Sequence, residues 1–415
     1  MRLLKQASRR PQTGQEAVRQ RVSEMLLRIE RDREQGALHY ARELDGYTGS
    51  GIVTAQEFAA AQVEEQLAAD IAVAHQRISD FALMQRQSLR EFEVELSPGL
   101  VAGQRCIPLE TAGCYVPGGR YAHVASALMS ATTAVVAGVD TVVAASPPRE
   151  GSVHPGVLYA LRVAGANGVL CLGGVQGVAA LAFGLFTGRE ADILVGPGNR
   201  YVAEAKLQLF GRCGIDLYAG PTEILVLADS SADPELVAID LVGQAEHGPD
   251  SPVVLVSTDE ALALAVMERM PSLIDALGPG PNRDAALAAW RDCGEVALCQ
   301  DREEACAHAD RHAPEHLEVH CEDLPWYLMR LKNYGSLFLG EQTTVAFGDK
   351  CSGPNHILPT MGAARYTGGL SVHKFIKTLT WQRMSDEASA ELAPVCARIS
   401  RLEGMEAHAR SADAR

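Results

Sequence analysis

Residues 191–200 read ADILVGPGNR, and the reading of this stretch decides the fold. A short apolar run stops at Gly196-Pro197-Gly198-Asn199, after which 200–210 is helix-like. A strand that turns through glycines into a helix is where backbone N–H groups and a helix N-terminus receive phosphate. The dinucleotide fingerprint is incomplete, because Tyr201 stands where its third glycine would be. On this stretch alone, a structural turn and a nucleotide-binding turn both remain open. Working outward, 140–146 (DTVVAAS) and 168–174 (GVLCLGG) are further β-branched runs separated by helix-like segments. Three buried strands alternating with helices predict a parallel, Rossmann-like sheet with right-handed crossovers. The turns Tyr115-Val116-Pro117-Gly118-Gly119 and Gly173-Gly174-Val175-Gln176 would then converge with 196–199 on one crevice. Runs at 223–229, 252–258, 295–299 and 336–340 predict a second α/β unit. Before them, 15–88 is charged and amphipathic, with Val22, Met25, Leu26 and Ile29 at helical spacing, which predicts two or three supporting helices. The last fifty residues lack a strand signal and end in a polar, helix-like tail.

The 415 residues carry 37 Lys+Arg against 52 Asp+Glu, a net charge of −15, which argues against a nucleic-acid partner held by phosphate contacts. At 47% apolar and 21% charged residues, the chain can bury large cores, and its length suits two or three domains. Ten cysteines at irregular spacing, with no C-x-x-C pair, predict reduced thiols in a cytoplasmic protein. The basic N-terminus lacks an apolar core, so no secretory signal is expected, and the longest apolar stretch, 124–138, is too short to span a bilayer.

Three further segments could carry chemistry. Gln244 and His247 share a helical face just before His247-Gly248-Pro249 ends the helix, and both side chains can bind zinc, although a surface pair is the plainer reading. His308, His312, His316 and His320 repeat at four, but Pro314 breaks the helix and 316–321 alternates like a strand, so the stripe is read as an accident. What survives there is Glu315 beside His316, a carboxylate and an imidazole at the mouth of a strand, suited to acid–base work, although an exposed Glu–His pair is the plainer reading. Asp349, in the turn-rich loop GDKCSGPNH (348–356), is a helix cap or a metal ligand.

Taken in order, YVPGG, GGVQGVAALAFG, VGPGN, AGPTEILVLAD, QAEHGPDSPVVLVS, APEHLE, FGDKCSGPNHILPT, GLSV and EGMEAHA resemble the histidinol dehydrogenase family over about residues 15–415. That resemblance implies two unequal Rossmann-like, aldehyde-dehydrogenase-like parallel-sheet domains with small helical end segments in an intertwined homodimer. The implied boundaries are a helical segment 1–24, a first domain of 25–114 with 221–365, an NAD-binding domain 115–220, and a helical segment 366–415 exchanged with the partner. It also implies oxidation of a primary alcohol through an aldehyde to a carboxylate, with two NAD reduced in turn and zinc holding the substrate. By the same resemblance Gln244, His247, Asp349 and the partner's His408 would ligate zinc. His316 would be the base for the alcohol and Glu315 the base for water. Tyr115, Gln176 and Asn199 match NAD positions, while Ser126, Thr222 and Glu403 match substrate positions.

The chain departs from the family pattern in its substrate region. Arg120-Tyr121-Ala122-His123 follows YVPGG, Thr222 replaces the usual Ser, and 362–370 carries Arg365 and Tyr366. These features are similar to a paralogous branch that oxidises 2,3-dihydroxypropane-1-sulfonate to sulfolactate. An arginine suits an anionic headgroup because guanidinium makes bidentate bonds to oxyanions, so Arg120 and Arg365 are candidates to touch the sulfonate, with surface residues or salt-bridge partners as the plainer reading. Histidinol is the alternative substrate, and a non-catalytic binding homologue the alternative of a different class.

Overall fold

The structure, a computed structural model, describes residues 1–8, 16–118 and 121–415. Two mainly parallel sheets organise it. The first is five-stranded and all parallel, in the order Gly168–Cys171, Thr141–Ser146, Thr111–Tyr115, Ile193–Val195, Gly214–Ile215. Chain order therefore reverses between Thr111–Tyr115 and Ile193–Val195, and the crevice beyond the carboxyl ends of those two strands is where such sheets take ligands. The second sheet runs Arg2–Lys5, Gly294–Leu298, Val253–Ser257, Ile224–Ala228, His316–His320, Ser336–Leu339, with only Arg2–Lys5 antiparallel. Val253–Ser257 (VVLVS) and Ile224–Ala228 (ILVLA) are buried along their whole length, as strands covered by helices on both faces must be.

Helix ends follow local chemistry. Asn199 caps Arg200–Leu209 by accepting from the N–H groups of Tyr201 and Val202, and Asp233 and Asp301 cap Pro234–Ala245 and Arg302–His312 in the same way. Arg302–His312 stops where Ala313 turns left-handed (φ 48), just before Pro314. The four-histidine stripe is thus broken, as expected.

Several expectations are corrected. Residues 25–114 do not join 221–365. The helix Glu16–Asp45 packs on Gly174–Ala182 and Arg200–Leu209, Glu65–Gln87 packs on Val124–Ala137, and Thr111–Tyr115 is the central strand of the first sheet. One apolar core runs from Val18 to Leu217 and takes in Ile357, Leu370, Val372 and Phe375, while separate cores line the second sheet from Ile224 onward. The end segments are not purely helical. Arg2–Lys5 pairs with Gly294–Leu298, and Ile376–Met384 joins Leu100–Pro108 and Phe92–Ser97 in a three-stranded antiparallel sheet. The nearly uniform exposure of Phe92–Ser97 and Ile376–Met384 explains why no buried-strand pattern marks them. Two helices, Asp386–Leu402 and Glu406–Asp413, close the chain by packing on each other through Ala397, Ala409 and Ala412. They leave Leu392, Val395, Ile399, Leu402 and Met405 exposed. None of the ten cysteines is in a disulfide, and no described helix is long and apolar enough to cross a membrane.

Candidate active site

A cavity of about 1030 Å³ lies between the two sheets, lined from one side by Tyr115, Ser126 and Asn199 and from the other by Thr222, His247, Glu315, His316 and Asp349. Helix termini and strand ends deliver these groups. Pro234–Ala245 places Gln244 in its last turn with His247 just beyond, His316–His320 begins at the cavity, and Val345–Lys350 brings Asp349.

His316 and Glu315 are organised by the main chain of Glu223. His316 Nδ1 lies 3.0 Å from the Glu223 carbonyl oxygen, an acceptor only, so Nδ1 keeps its proton and Nε2 is the nitrogen at which the ring gains or loses its second one. Gln244 Nε2, 3.4 Å from the same Nδ1, is then a donor facing a donor, a contact and not a hydrogen bond. His316 Nε2 is buried with no hydrogen-bond partner among the described residues, and Asp349 Oδ1 is 3.6 Å away, beyond bonding distance. Burial pulls the imidazole pKa down, but the Glu315 and Asp349 carboxylates outweigh it and hold it up at about 9. Burial likewise works against the Asp349 charge, yet the neighbouring His316, His356 and Lys350 keep that carboxyl well below its usual range.

Glu315 is buried, and one oxygen, Oε2, accepts from the Thr222 hydroxyl at 2.6 Å and from the Glu223 N–H at 2.9 Å. Burial raises its pKa despite these donors, moving a carboxylate toward the strength a general base needs near neutrality. Thr222 in turn accepts from Gln244 Nε2, which leaves the Gln244 carbonyl oxygen as the donor atom for a cation.

The residues expected on the coenzyme side divide. The Tyr115 hydroxyl accepts from Gly174 N–H at 3.0 Å, and burial pushes its pKa up to about 12. Gln176 lies beneath the turn, donating from Nε2 to Asp45 at 2.8 Å, with its carbonyl oxygen buried and unpartnered among the described residues. Gly196 has φ +116, and a Cβ there would sit 2.0 Å from the Tyr115 carbonyl oxygen, so the turn requires glycine. Behind it, buried Lys206 donates to Gly196 O at 2.9 Å and pairs with Asp216, which accepts the Gly196 N–H at 2.7 Å.

Gln176 does not line this cavity, and three further expected residues are not brought to it within one chain. His408 lines a surface groove with Met384, Leu392 and Cys396, and Glu403 follows the exposed end of Asp386–Leu402. Arg365 is a correction: it donates to the backbone carbonyls of Arg311 and Gly362 and lines a second cavity of about 570 Å³. Arg120 lies outside the described residues. His356, quoted with its motif but given no role, is a residue the sequence reading missed. Its Nε2 is 3.3 Å from Ser126 Oγ, its Nδ1 is unpartnered among the described residues, and burial drives its pKa down to about 4. The loop that supplies Asp349 was the available signal, since it ends on this histidine.

The sequence profile described as histidinol dehydrogenase matches residues 8–415. A histidinol dehydrogenase homolog of Ruegeria pomeroyi is 59% identical over 100% of this chain and 96% of its own length. A sulfopropanediol 3-dehydrogenase of the same organism is 55% identical over 99% of this chain and 95% of its own. The crystal structure of histidinol dehydrogenase from Elizabethkingia anophelis superposes with a TM-score of 0.91 at 30% identity, covering 98% of this chain and 94% of that one.

Proposed function

This chain belongs to the histidinol dehydrogenase family, and from that premise we propose that it oxidises a primary alcohol through an aldehyde to a carboxylate with zinc and NAD, the alcohol being 2,3-dihydroxypropane-1-sulfonate. The observation that carries the reaction is the fixed tautomer of His316. With Nδ1 donating to Glu223 O, the unpartnered Nε2 is the atom that takes the alcohol proton once the ring is neutral. Glu315, with one oxygen committed to Thr222 and Glu223, takes the proton of a water that attacks the aldehyde. The hydrated aldehyde then presents a second O–H to His316, so two successive oxidations share one place.

The residues present fit a zinc ion of open coordination. His247 is held toward its neutral form by burial, Asp349 is anionic, and Gln244 has its carbonyl oxygen available. When bound, zinc supplies a Lewis-acid hold on the alcohol oxygen and NAD a hydride acceptor. His408 and Glu403 come from a second copy of the chain in this reading, which the exposed apolar face of the C-terminal helices supports. Tyr115, Gln176 and Asn199 are assigned to the coenzyme side, and Ser126, Thr222 and Arg120 to the substrate.

The sulfonate is favoured by the 55% identity to the sulfopropanediol 3-dehydrogenase over nearly the whole of both chains. The test is NADH production by the zinc-loaded protein, offered dihydroxypropanesulfonate and L-histidinol side by side, with NADH counted per substrate consumed. Two NADH from the sulfonate are expected. Two from histidinol alone would place the chain with the biosynthetic enzymes, one would mean a dehydrogenase that stops at the aldehyde, and tight binding without turnover would leave a binding protein.

A further inference from the structure

The half of the histidine stripe that remains helical forms a second cluster, away from the catalytic cavity. His308 and His312 lie one turn apart on Arg302–His312, and Glu295 faces them from the strand Gly294–Leu298. Their Nε2 atoms are 3.1 Å apart, and Glu295 Oε1 is 3.4 Å from the first and 3.3 Å from the second. A tetrahedral ion with bonds of about 2.0–2.1 Å has ligand–ligand edges of about 3.3 Å. One carboxylate oxygen and two imidazole nitrogens therefore already form one face of such a tetrahedron.

We propose that Glu295, His308 and His312 form a second site for a divalent transition metal of the zinc class, with its remaining coordination position supplied from the second cavity, which all three residues line. None of the three belongs to the catalytic set. The donor types suit the ion, since two imidazoles and a carboxylate are borderline ligands that zinc accepts.

One neighbour opposes binding and makes the site selective in its response. Arg311 Nη2 lies 3.3 Å from His308 Nδ1, and a guanidinium can only donate, so it holds the His308 proton on Nε2, where the metal must bond. Loading the site requires that proton to move to Nδ1 and the exposed Arg311 side chain to swing away. Arg311 thus acts as the counter-ligand that the metal displaces.

The full-length protein is stripped with chelator, reloaded with zinc, freed of excess metal and assayed for zinc per chain. Wild type is expected to retain two, His247→Ala one, His308→Gln with His312→Gln one, and the combined variant none. If the catalytic reading fails instead, wild type and His247→Ala each retain one and His308→Gln/His312→Gln retains none, so the two failures are distinguishable. A folded His247→Ala protein without zinc, or one whose zinc is unchanged by the added histidine replacements, overturns the proposal. Arg311→Gln covers the case in which the histidine variants do not fold. It leaves every donor intact and is expected to bind the second zinc about tenfold tighter by losing one hydrogen bond; unchanged affinity counts against the site.

Discussion

Replacing Lys206 by Met probes the turn that opens the cavity from beneath. Lys206 and Asp216 are 4% and 0% exposed at their side chains, and Asp216 also accepts from the N–H groups of Gly196 and Leu217. The variant leaves a buried carboxylate without its cation, a change that costs about 3–5 kcal/mol, with the two surviving N–H bonds favouring the lower end. Unfolding entropy of about 2.1 cal/mol/K per residue makes about 0.9 kcal/mol/K for a chain of this length melting as one unit, so the midpoint should fall by about 3–6 °C. A surface comparison calibrates the number. The Arg283–Asp275 pair is 35% and 63% exposed, and Asp275→Asn should cost no more than about 1 kcal/mol. Differential scanning calorimetry reads both. Because Lys206 also grips Gly196 O, the KM for NAD should rise with kcat nearly unchanged, the signature of lost binding that is equal in ground and transition states. A Lys206→Met protein that melts with the parent, or no lower than the surface variant, would refute the reasoning.

Other expectations follow from the same geometry. His316→Asn should abolish alcohol oxidation while Glu315→Gln lets the aldehyde accumulate, each by about 10²–10⁴-fold in the affected step, as rapid-quench analysis of the two products would show. Removing 403–415 should cost zinc and activity together while circular dichroism stays near that of the parent; full zinc at the catalytic ligands would contradict a shared site. Asp240, raised to about 7 by burial and by Glu318, is protonated in the folded chain below that value. Its folded pKa exceeds its unfolded one, so stability is lost as pH rises from about 4 through 7, and Asp240→Asn, which keeps an acceptor for Thr344, should gain stability at alkaline pH and none in acid. Denaturant midpoints at the two extremes check this.

Much of the fold was legible because buried parallel strands write themselves as unbroken aliphatic runs. All seven strands read between residues 140 and 340 are present, each within three residues of its expected ends. The antiparallel sheet was not legible for the opposite reason. Phe92, Val94 and Leu96 alternate at period two yet remain 47%, 44% and 64% exposed, so their pattern answers to no core within one chain. At the site, Glu315, His316 and Asp349 were readable as chemistry because reactive residues cluster in turn-rich text. Arg365 was misplaced because a cationic loop residue says nothing about which of two cavities it borders. The distinction between the upper and lower halves of the histidine stripe depended on Glu295, a residue from a strand thirteen positions before the first histidine, which no local spacing can supply.

The attachment of both Glu315 and His316 to Glu223 has a consequence for how this enzyme could change over generations. The N–H of Glu223 holds Glu315 and its carbonyl holds His316, while its side chain turns to the second cavity and accepts from Met361 N–H. Orientation of the two side chains is therefore written in main-chain atoms that every residue except proline possesses. Mutation at this position can drift without disarming the reaction, so the second cavity is open to divergence under the same chemistry. What the lineage cannot survive is a slip of the Ile224–Ala228 strand against His316–His320, because one residue of register would hand the two bases to a different peptide unit.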